Sequence, residues 1–252
     1  MTTVEAFKRY EKKYIITQSQ YKELMSQAAR YMVKDEHGPN TISNIYYDTD
    51  SYDLIRASIE KPVYKEKLRL RSYCIPTNET EVFLELKKKF DGIVYKRRLT
   101  LSYSDARNYL NYQLKPPKKG QILNEIDWFM YRYKLFPKIF IAYDRIAFYK
   151  KSDSNLRITF DDNIRFRQTD IDLRSGNCGR QLMDPSQFLM EIKFSDSIPF
   201  WLAELLNDLK VYPVSFSKYG YCYKKFILSK ERVVKCSTVS STQQQRHLLQ
   251  LR

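Results

Sequence analysis

The stretch "KEKLRLRSY" at 65–73 sets Lys65, Lys67, Arg69 and Arg71 at every second position, with Leu68 and Leu70 between them. Successive side chains of a strand point to opposite faces, so the segment describes a ribbon with cations on one side and leucines on the other. The pattern recurs. Arg9, Glu11 and Lys13 share parity against Tyr10, Tyr14 and Ile16; Glu81, Glu85, Lys87 and Lys89 oppose Val82, Leu84 and Leu86; Lys96 and Arg98 oppose Ile93, Tyr95, Leu99 and Leu101. Farther on, Tyr143 goes with Arg145, while Arg157, Thr159 and Asp161 oppose Leu156, Ile158 and Phe160, and Glu191 and Lys193 oppose Met190, Ile192 and Phe194. A single strand of this kind is an ordinary two-sided sheet with one wet face. A solvated face, however, normally mixes both charge signs, whereas these strands repeatedly centre Arg or Lys. Like charges about 4 Å apart repel by on the order of 4 kcal/mol at an effective dielectric of 20, so gathering them on one concave face calls for a counter-anion.

Strand patterning falls at roughly 6–16, 42–48, 63–74, 81–89, 92–102, 138–149, 155–167 and 187–194. Between these lie helical segments: "TQSQYKELMSQAARYM", which opens with Thr17 and Gln20 at capping-box spacing, then "SDARNYLNYQL", "NEIDWFMYRYKLF", "FWLAELLNDLK" and "SKYGYCYKKFIL". With apolar faces outward under helices and charged faces inward, the expected fold is α+β. It is a closed antiparallel eight-stranded β-barrel, a tunnel with helices packed outside it and its core outside the barrel. The loops 114–121 and 172–185 read as insertions in one domain spanning 1–230. Residues 231–252 turn Ser, Thr and Gln rich and are expected to be a disordered tail.

The net charge of +15 suits a polyanionic partner without choosing among nucleic acid, nucleotides, phosphate chains or anionic lipid. Cys74, Cys178, Cys222 and Cys236 are scattered and His37 and His247 are the only histidines, which points away from a zinc site or a disulfide framework and toward a reducing cytoplasm. The N-terminus has no apolar signal region and no apolar run is long enough to span a bilayer, so direct membrane insertion is not expected and any membrane link would come from a protein partner. Among the six glycines none forms a phosphate-cradling loop motif, so a triphosphate would have to be held by side chains. Aromatics lie on the apolar parity rather than among the cations, which disfavours nucleic acid.

The ordered series "YEKKYII", "KLRLRSY", "LELKKK", "VYKRR", "YDRIAF", "LRITFD", "LMEIK" and "FSKYG" resembles the catalytic domain of the vacuolar transporter chaperone polyphosphate polymerases, a branch of the triphosphate tunnel metalloenzyme superfamily. The resemblance covers about residues 5–228. It implies an eight-stranded tunnel holding a nucleoside triphosphate and a growing phosphate chain, with Mn²⁺ or Mg²⁺ as cofactor. Carried over by position, it assigns phosphate binding to Lys13, Arg69, Arg71, Lys87, Lys96, Arg145, Arg157 and Lys218, with Tyr143 beside them and Lys193 in the same motif. Arg69, Arg71, Lys87, Arg145 and Arg157 are the catalytic set, and Glu191 is the metal ligand. Two departures stand out. CYTH-type triphosphatases and cyclases resemble one another in an ExExK strand, where this chain reads Arg9, Glu11, Lys13; the first acid is a base, which suits gripping a long anion. Ser215 stands where the eukaryotic polymerases tend to have a second lysine.

Glu191 could instead pair with Arg or Lys across the lumen. Glu11 and Glu85 read as ion-pair partners that orient lysines; Arg98, Lys67 and Arg9 have lumenal parity, and Lys65, Lys88 and Lys89 read as solvated. The expected function is transfer of the γ-phosphate of ATP to inorganic polyphosphate. Its rivals are a tunnel triphosphatase acting on tripolyphosphate or a nucleoside triphosphate, and a non-catalytic polyphosphate- or RNA-binding module.

Overall fold

The computed structural model describes residues 10–229 except 37, 92 and 152. Arg9, His37, the tail at 231–252, Cys236 and His247 lie outside the described residues. The elements run β1 (Tyr10–Thr17), α1 (Gln18–Ala28), β2 (Met32–Lys34), β3 (Asn40–Asp48), α2 (Asp53–Ile59), β4 (Tyr64–Ser72), β5 (Glu81–Phe90) and β6 (Ile93–Ser102). They continue with α3 (Tyr103–Tyr112), α4 (Gln121–Arg132), β7 (Phe136–Lys150), β8 (Asp153–Arg167), β9 (Arg180–Gln181), β10 (Gln187–Phe194), α5 (Phe200–Asp208) and α6 (Lys218–Cys222), which passes into a π-helical turn at Tyr223–Ile227. All strand pairings are antiparallel, in the order β1-β10-β8-β7-β3-β4-β5-β6, with β2 added on β7 and β9 on β8. The eight strands read from alternation are the eight of that path.

Local chemistry sets the joints. Thr17 ends β1 and caps α1 reciprocally: Gln20 N donates to Thr17 Oγ1 (3.2 Å) and Thr17 N to Gln20 Oε1 (2.9 Å). The short helix α2 has no side-chain cap at its own N-cap, Tyr52. Instead Asp48 at the end of β3 accepts from Leu54 N, Ile55 N and Tyr219 Oη, tying α2 to α6.

On the outer face, α3 and α4 cover Leu68, Leu70, Leu84 and Leu86, and α1 and α5 cover Ile158, Phe160, Met190 and Ile192. Fully burying each such side chain stabilises the fold by about 1.5–3 kcal/mol. The outer helices thus explain the leucines of "KEKLRLRSY".

Three expectations need correction. The sheet is not closed: among the described residues β1 and β6 do not pair. Part of the free edge of β1 is taken by the chain after α5, where Val214 N donates to Lys13 O (2.7 Å). Nor does the core lie wholly outside. A third apolar cluster joins Ile42, Tyr46, Ile139, Ile141, Ile164, Phe166 and Leu189 of the inner face to Tyr219, Cys222, Tyr223 and Phe226, so α6 and the π turn sit inside the curl rather than outside it. Lys88 is not simply solvated; it shares the outer parity with Leu86 and pairs with Glu125 of α4 at 3.1 Å.

Although open, the sheet curls strongly. Lys13 of β1 donates to Phe216 O (3.3 Å) and Lys67 of β4 to Ser217 Oγ (3.1 Å). Strands five positions apart in the sheet order thereby meet over adjacent residues of one segment, which makes the charged face concave.

Candidate functional site

The concave face is organised around buried carboxylates. Glu85 on β5 is 1% exposed and takes cations from both neighbouring strands, because Arg69 and Arg98 lie opposite it in register. Arg69 donates through Nε (2.8 Å) and Nη2 (2.7 Å) to Oε2; Arg98 donates through Nε (2.8 Å) and Nη2 (2.6 Å) to Oε1, and Lys96 Nζ reaches the same oxygen at 2.8 Å. Arg71 Nε stands 3.9 Å away and donates instead to Asn44 Oδ1 (2.9 Å), while its Nη2 meets Tyr143 Oη (3.2 Å). Burial would raise the Glu85 carboxyl, but Arg69, Arg71 and Lys96 override it and hold the group well below the usual carboxylate range.

A second hub is shared by β8 and β10. Asp161, fully buried, accepts two bonds from Arg145 (2.5 and 2.7 Å) and one from Lys218, the first residue of α6. Glu191 lies among Lys13 (3.4 Å), Arg145 (3.6 Å) and Lys218 (3.9 Å). Burial opposes ionisation of both acids, yet Lys218, Lys13 and Arg145 keep Glu191 well below its ordinary pKa, and Lys218 and Arg145 do the same for Asp161. Tyr143 joins the hubs: Lys218 Nζ lies 4.1 Å from its ring centroid. Burial would raise the phenol, but Arg71, Arg145 and Lys218 together bring it down to about 8.

Other cations lack such partners. Among the described residues no carboxylate lies within salt-bridge distance of Lys67 or Lys87. Desolvation, reinforced by Lys65, Lys87 and Lys13, pulls Lys67 down to about 7. Lys87 is open to solvent, yet it too is lowered, first by desolvation; the carboxylates Glu11 and Glu191 work in the opposite direction. Its register opposite Lys67 and Lys96 places it on the concave face. Arg157 reaches Asp35 at 3.4 Å, but its Nε and the Oγ1 of neighbouring Thr159 are buried with no hydrogen-bond partner among the described residues. Such orphaned atoms are what an incoming phosphate oxygen or water would satisfy.

The structure therefore brings Lys13, Arg69, Arg71, Lys87, Lys96, Tyr143, Arg145, Glu191 and Lys218 to one concave face. Arg157 and Lys193 sit beside one another in register toward one side of it, with Lys193 3.8 Å from Glu11. Asp161 was overlooked as a site residue, although its parity with Arg157 in "LRITFD" carried the signal. Asn44, which accepts from Arg71, and Tyr46, whose hydroxyl accepts from Arg69 Nη1 at 3.4 Å, were missed because β3, "ISNIYY", shows no charge alternation.

For a divalent ion the donor set is sparse. No group of three or more His, Cys, Asp or Glu among the described residues converges on a metal position. Asp161 is hydrogen-bonded by Arg145 and Lys218, whereas Glu191 has only the longer contacts to Lys13, Arg145 and Lys218, and Glu11 lies 3.2 Å from Lys13. One carboxylate fits an ion that completes its shell with phosphate oxygens and water, as Mg²⁺ commonly does.

Among the described residues no helix is long and apolar enough to cross a membrane. The comparisons with known proteins fall on this same span. The chain is 24% identical over 268 aligned positions to vacuolar transporter chaperone complex subunit 4 of Schizosaccharomyces pombe, an alignment covering 86% of this chain and 37% of that protein. Among solved structures, a Bacillus halodurans protein provisionally named an adenylate cyclase superimposes with a TM-score of 0.53 at 17% identity, covering 87% of this chain and 97% of its own, a likeness of fold. A family profile described as "VTC domain" matches residues 8–227, all the elements of the curled sheet and its helices, and the chain belongs to that family.

Proposed function

We propose that this protein is a polyphosphate polymerase, transferring the γ-phosphate of ATP to the end of an inorganic polyphosphate chain held on the concave face. The single observation that carries the reading is the convergence of cations from β1, β4, β5, β6, β7 and α6 on one hollow, where buried acids fix the guanidinium groups while Lys67 and Lys87, without a carboxylate partner among the described residues, are left for a further anion. Membership of the VTC domain family supports it.

Phosphoryl transfer needs in-line positioning and neutralisation of the phosphate oxygens more than covalent work by the protein. A terminal oxygen of the polyphosphate chain forms the new bond to the γ-phosphorus while the bond from that phosphorus to the β–γ bridging oxygen breaks, and ADP leaves. That oxygen is already ionised, so no side chain has to remove a proton from it. Arg69, Arg71, Lys87, Arg145 and Arg157 would neutralise the charge that builds on the transferring group, with Lys13, Lys96, Lys193, Lys218 and the Tyr143 hydroxyl gripping the flanking phosphates. Glu191 would hold Mn²⁺ or Mg²⁺, which would add charge neutralisation at the phosphate oxygens. A membrane-protein partner and a cytoplasmic setting belong to this reading, as does exclusion of nucleic acid as the substrate.

The test is to incubate the protein with ATP and Mn²⁺ or Mg²⁺, resolve the products on a gel stained for polyphosphate and measure free phosphate. Long chains with ADP are expected. Free phosphate without chains would make it a triphosphatase, and polyphosphate retention without either product a binding module. Arg69→Ala should lower kcat/KM by at least about 100-fold, the effect of losing one transition-state donor. It should leave stability nearly unchanged, because Glu85 keeps Arg98 and Lys96. A large fall in melting temperature would instead make Arg69 a structural residue.

A further inference from the structure

We infer that the cationic face of β4 and β5 continues past the hollow to its rim, where Lys65 and Lys89, with Lys61 beside them, form a further subsite that grips a long polyphosphate chain. The inference rests on the reading of the concave face as a phosphate site and adds a chain-length preference to it. Lys67 lies directly opposite Lys87, and one two-residue step farther, about 7 Å along the strands, Lys65 lies directly opposite Lys89. The pairing from Tyr64 and Phe90 to Arg71 and Phe83 runs without a register shift, so these four lysines share the face of Arg69 and Glu85. Two consecutive cross-strand pairs of like charge are thus stacked where opposed Cβ atoms stand about 4.5–5.5 Å apart, an arrangement that destabilises a sheet and that a bound anion relieves.

The chain's own acids do not supply that anion. Elsewhere on the concave face Lys13 has Glu11 and Glu191, Lys96 has Glu85, Lys193 has Glu11 and Lys218 has Asp161. Among the described residues no carboxylate, Glu60 and Asp91 included, lies within salt-bridge distance of Lys61, Lys65 or Lys89. Glu66 has the opposite parity, faces Lys88 in register and accepts from Tyr64 Oη (2.6 Å). Lys65 Nζ donates to Ser58 O (3.3 Å) in the last turn of α2, which occupies one of its three protons and leaves two for a ligand. The Lys65 ammonium is held below the ordinary lysine range by desolvation and then by Lys89 and Lys61, and Lys65 in turn lowers Lys67, so rim and hollow share one cationic field. A ladder of point charges suits an anion whose charge repeats along its length. Tyr64 and Phe90 have the opposite parity, which puts no ring among these lysines for base stacking.

The test reads affinity and needs no turnover. The whole protein and its Lys65→Gln/Lys89→Gln variant are titrated calorimetrically with tripolyphosphate, with long-chain polyphosphate and with a single-stranded RNA oligomer. The double variant should lose at least about ten-fold in affinity for the long chain. Its affinity for tripolyphosphate should change by less than about two-fold. The many registers a long chain offers favour it equally in both proteins, so the ratio of wild-type to variant affinity isolates the rim. The variant's melting temperature should match or exceed that of wild type, because like-charge pairs are removed. Three results would overturn the subsite while leaving the hollow as a phosphate site: unchanged long-chain affinity, an equal loss for both phosphate ligands, or RNA bound by wild type as tightly as the long chain and lost in the variant. A wild-type protein that binds neither phosphate ligand would instead overturn the reading of the concave face, and the subsite with it.

Discussion

Glu85→Gln should destabilise the protein by about 3–5 kcal/mol, the scale seen when one member of a buried charge network is removed and its partners are left uncompensated. The substitution keeps the shape of the side chain, so no cavity term enters. What changes is that Arg69, Arg98 and Lys96 lose the acceptor all three share, with Arg71 only 3.9 Å from it, on a face already short of negative charge. Urea unfolding should show a lower midpoint at an unchanged slope, since the surface exposed on unfolding is the same. Pyrophosphate or sulfate should restore much of the loss by binding the native state in place of the carboxylate. Acid sensitivity should change too. Glu85 has a folded-state pKa below its ordinary 4.5, so its stabilisation is present above that value and is lost as pH falls through the folded pKa. The variant should therefore lose less stability than wild type on going below pH 4.5. Removing one cation is a different experiment. Arg98→Gln should cost less than about 1 kcal/mol, because its side chain is 37% exposed and Glu85 retains Arg69 and Lys96. An unchanged midpoint for Glu85→Gln would mean that the carboxylate is not the counter-ion its geometry makes it.

That asymmetry revises what cation-rich alternation means. Repulsion among Arg69, Arg71, Lys96 and Arg98 is met first by an acid of the chain itself and only then by a ligand. The alternation still made the sheet legible. Strands β4, β5 and β10 each bury one parity and charge the other, β6 does so only at its Leu101 end, and a period of two is a local property of sequence. Strand β7 carried a warning of the inner core: "IFIAY" is apolar at successive positions, as a strand covered on both faces must be. Ile139 and Ile141 share parity with Tyr143 and Arg145, so one face of one strand is apolar where α6 packs and charged beyond it. Helix α2 escaped notice because its cap, Asp48, comes from a preceding strand and is set by tertiary contact. Barrel closure was beyond local patterning altogether. It turns on whether β1 meets β6, and the competitor for that edge is an irregular stretch around Val214, more than 190 positions away from Lys13 in sequence, whose backbone hydrogen bonding no periodicity announces.

With its internal acids in place the hollow separates two kinds of cation. Guanidinium groups fixed by Glu85 and Asp161 are pre-aimed, so their side-chain entropy is already lost before a phosphate arrives. Lys67 and Lys87 are the opposite case. They are held among other cations at a cost that a bound anion relieves, so ligand binding and protonation are coupled there.

Polyphosphate binding by the wild-type protein should take up protons at pH 8, and Lys67→Met should lower that uptake by close to one proton, Tyr143 and Lys87 supplying any remainder. Free Lys67 has its pKa at about 7, so at pH 8 it is mostly neutral, and a phosphate oxygen beside Ser217 would favour the ammonium. If binding returns Lys67 to an ordinary lysine pKa near 10.4, linkage predicts that affinity falls about twenty-fold between pH 6.5 and pH 8.5 through this group alone. The phosphate chain's terminal group titrates in the same window with the opposite effect. It contributes equally to both proteins, so the ratio of wild-type to Lys67→Met affinity isolates the lysine. Calorimetry in two buffers of different ionisation enthalpy reads the proton count directly. Stability of the free protein gives an independent sign. Because the folded pKa lies below the unfolded one, the unfolded chain binds more protons between about pH 7 and pH 10.4, and wild-type stability should rise with pH across that window. Lys67→Met should flatten this rise and be the more stable protein at pH 7, having removed a half-buried charge that lacks a carboxylate partner among the described residues. Equal proton uptake by the two proteins would place the coupled group elsewhere in the hollow, with Lys87 the next to substitute.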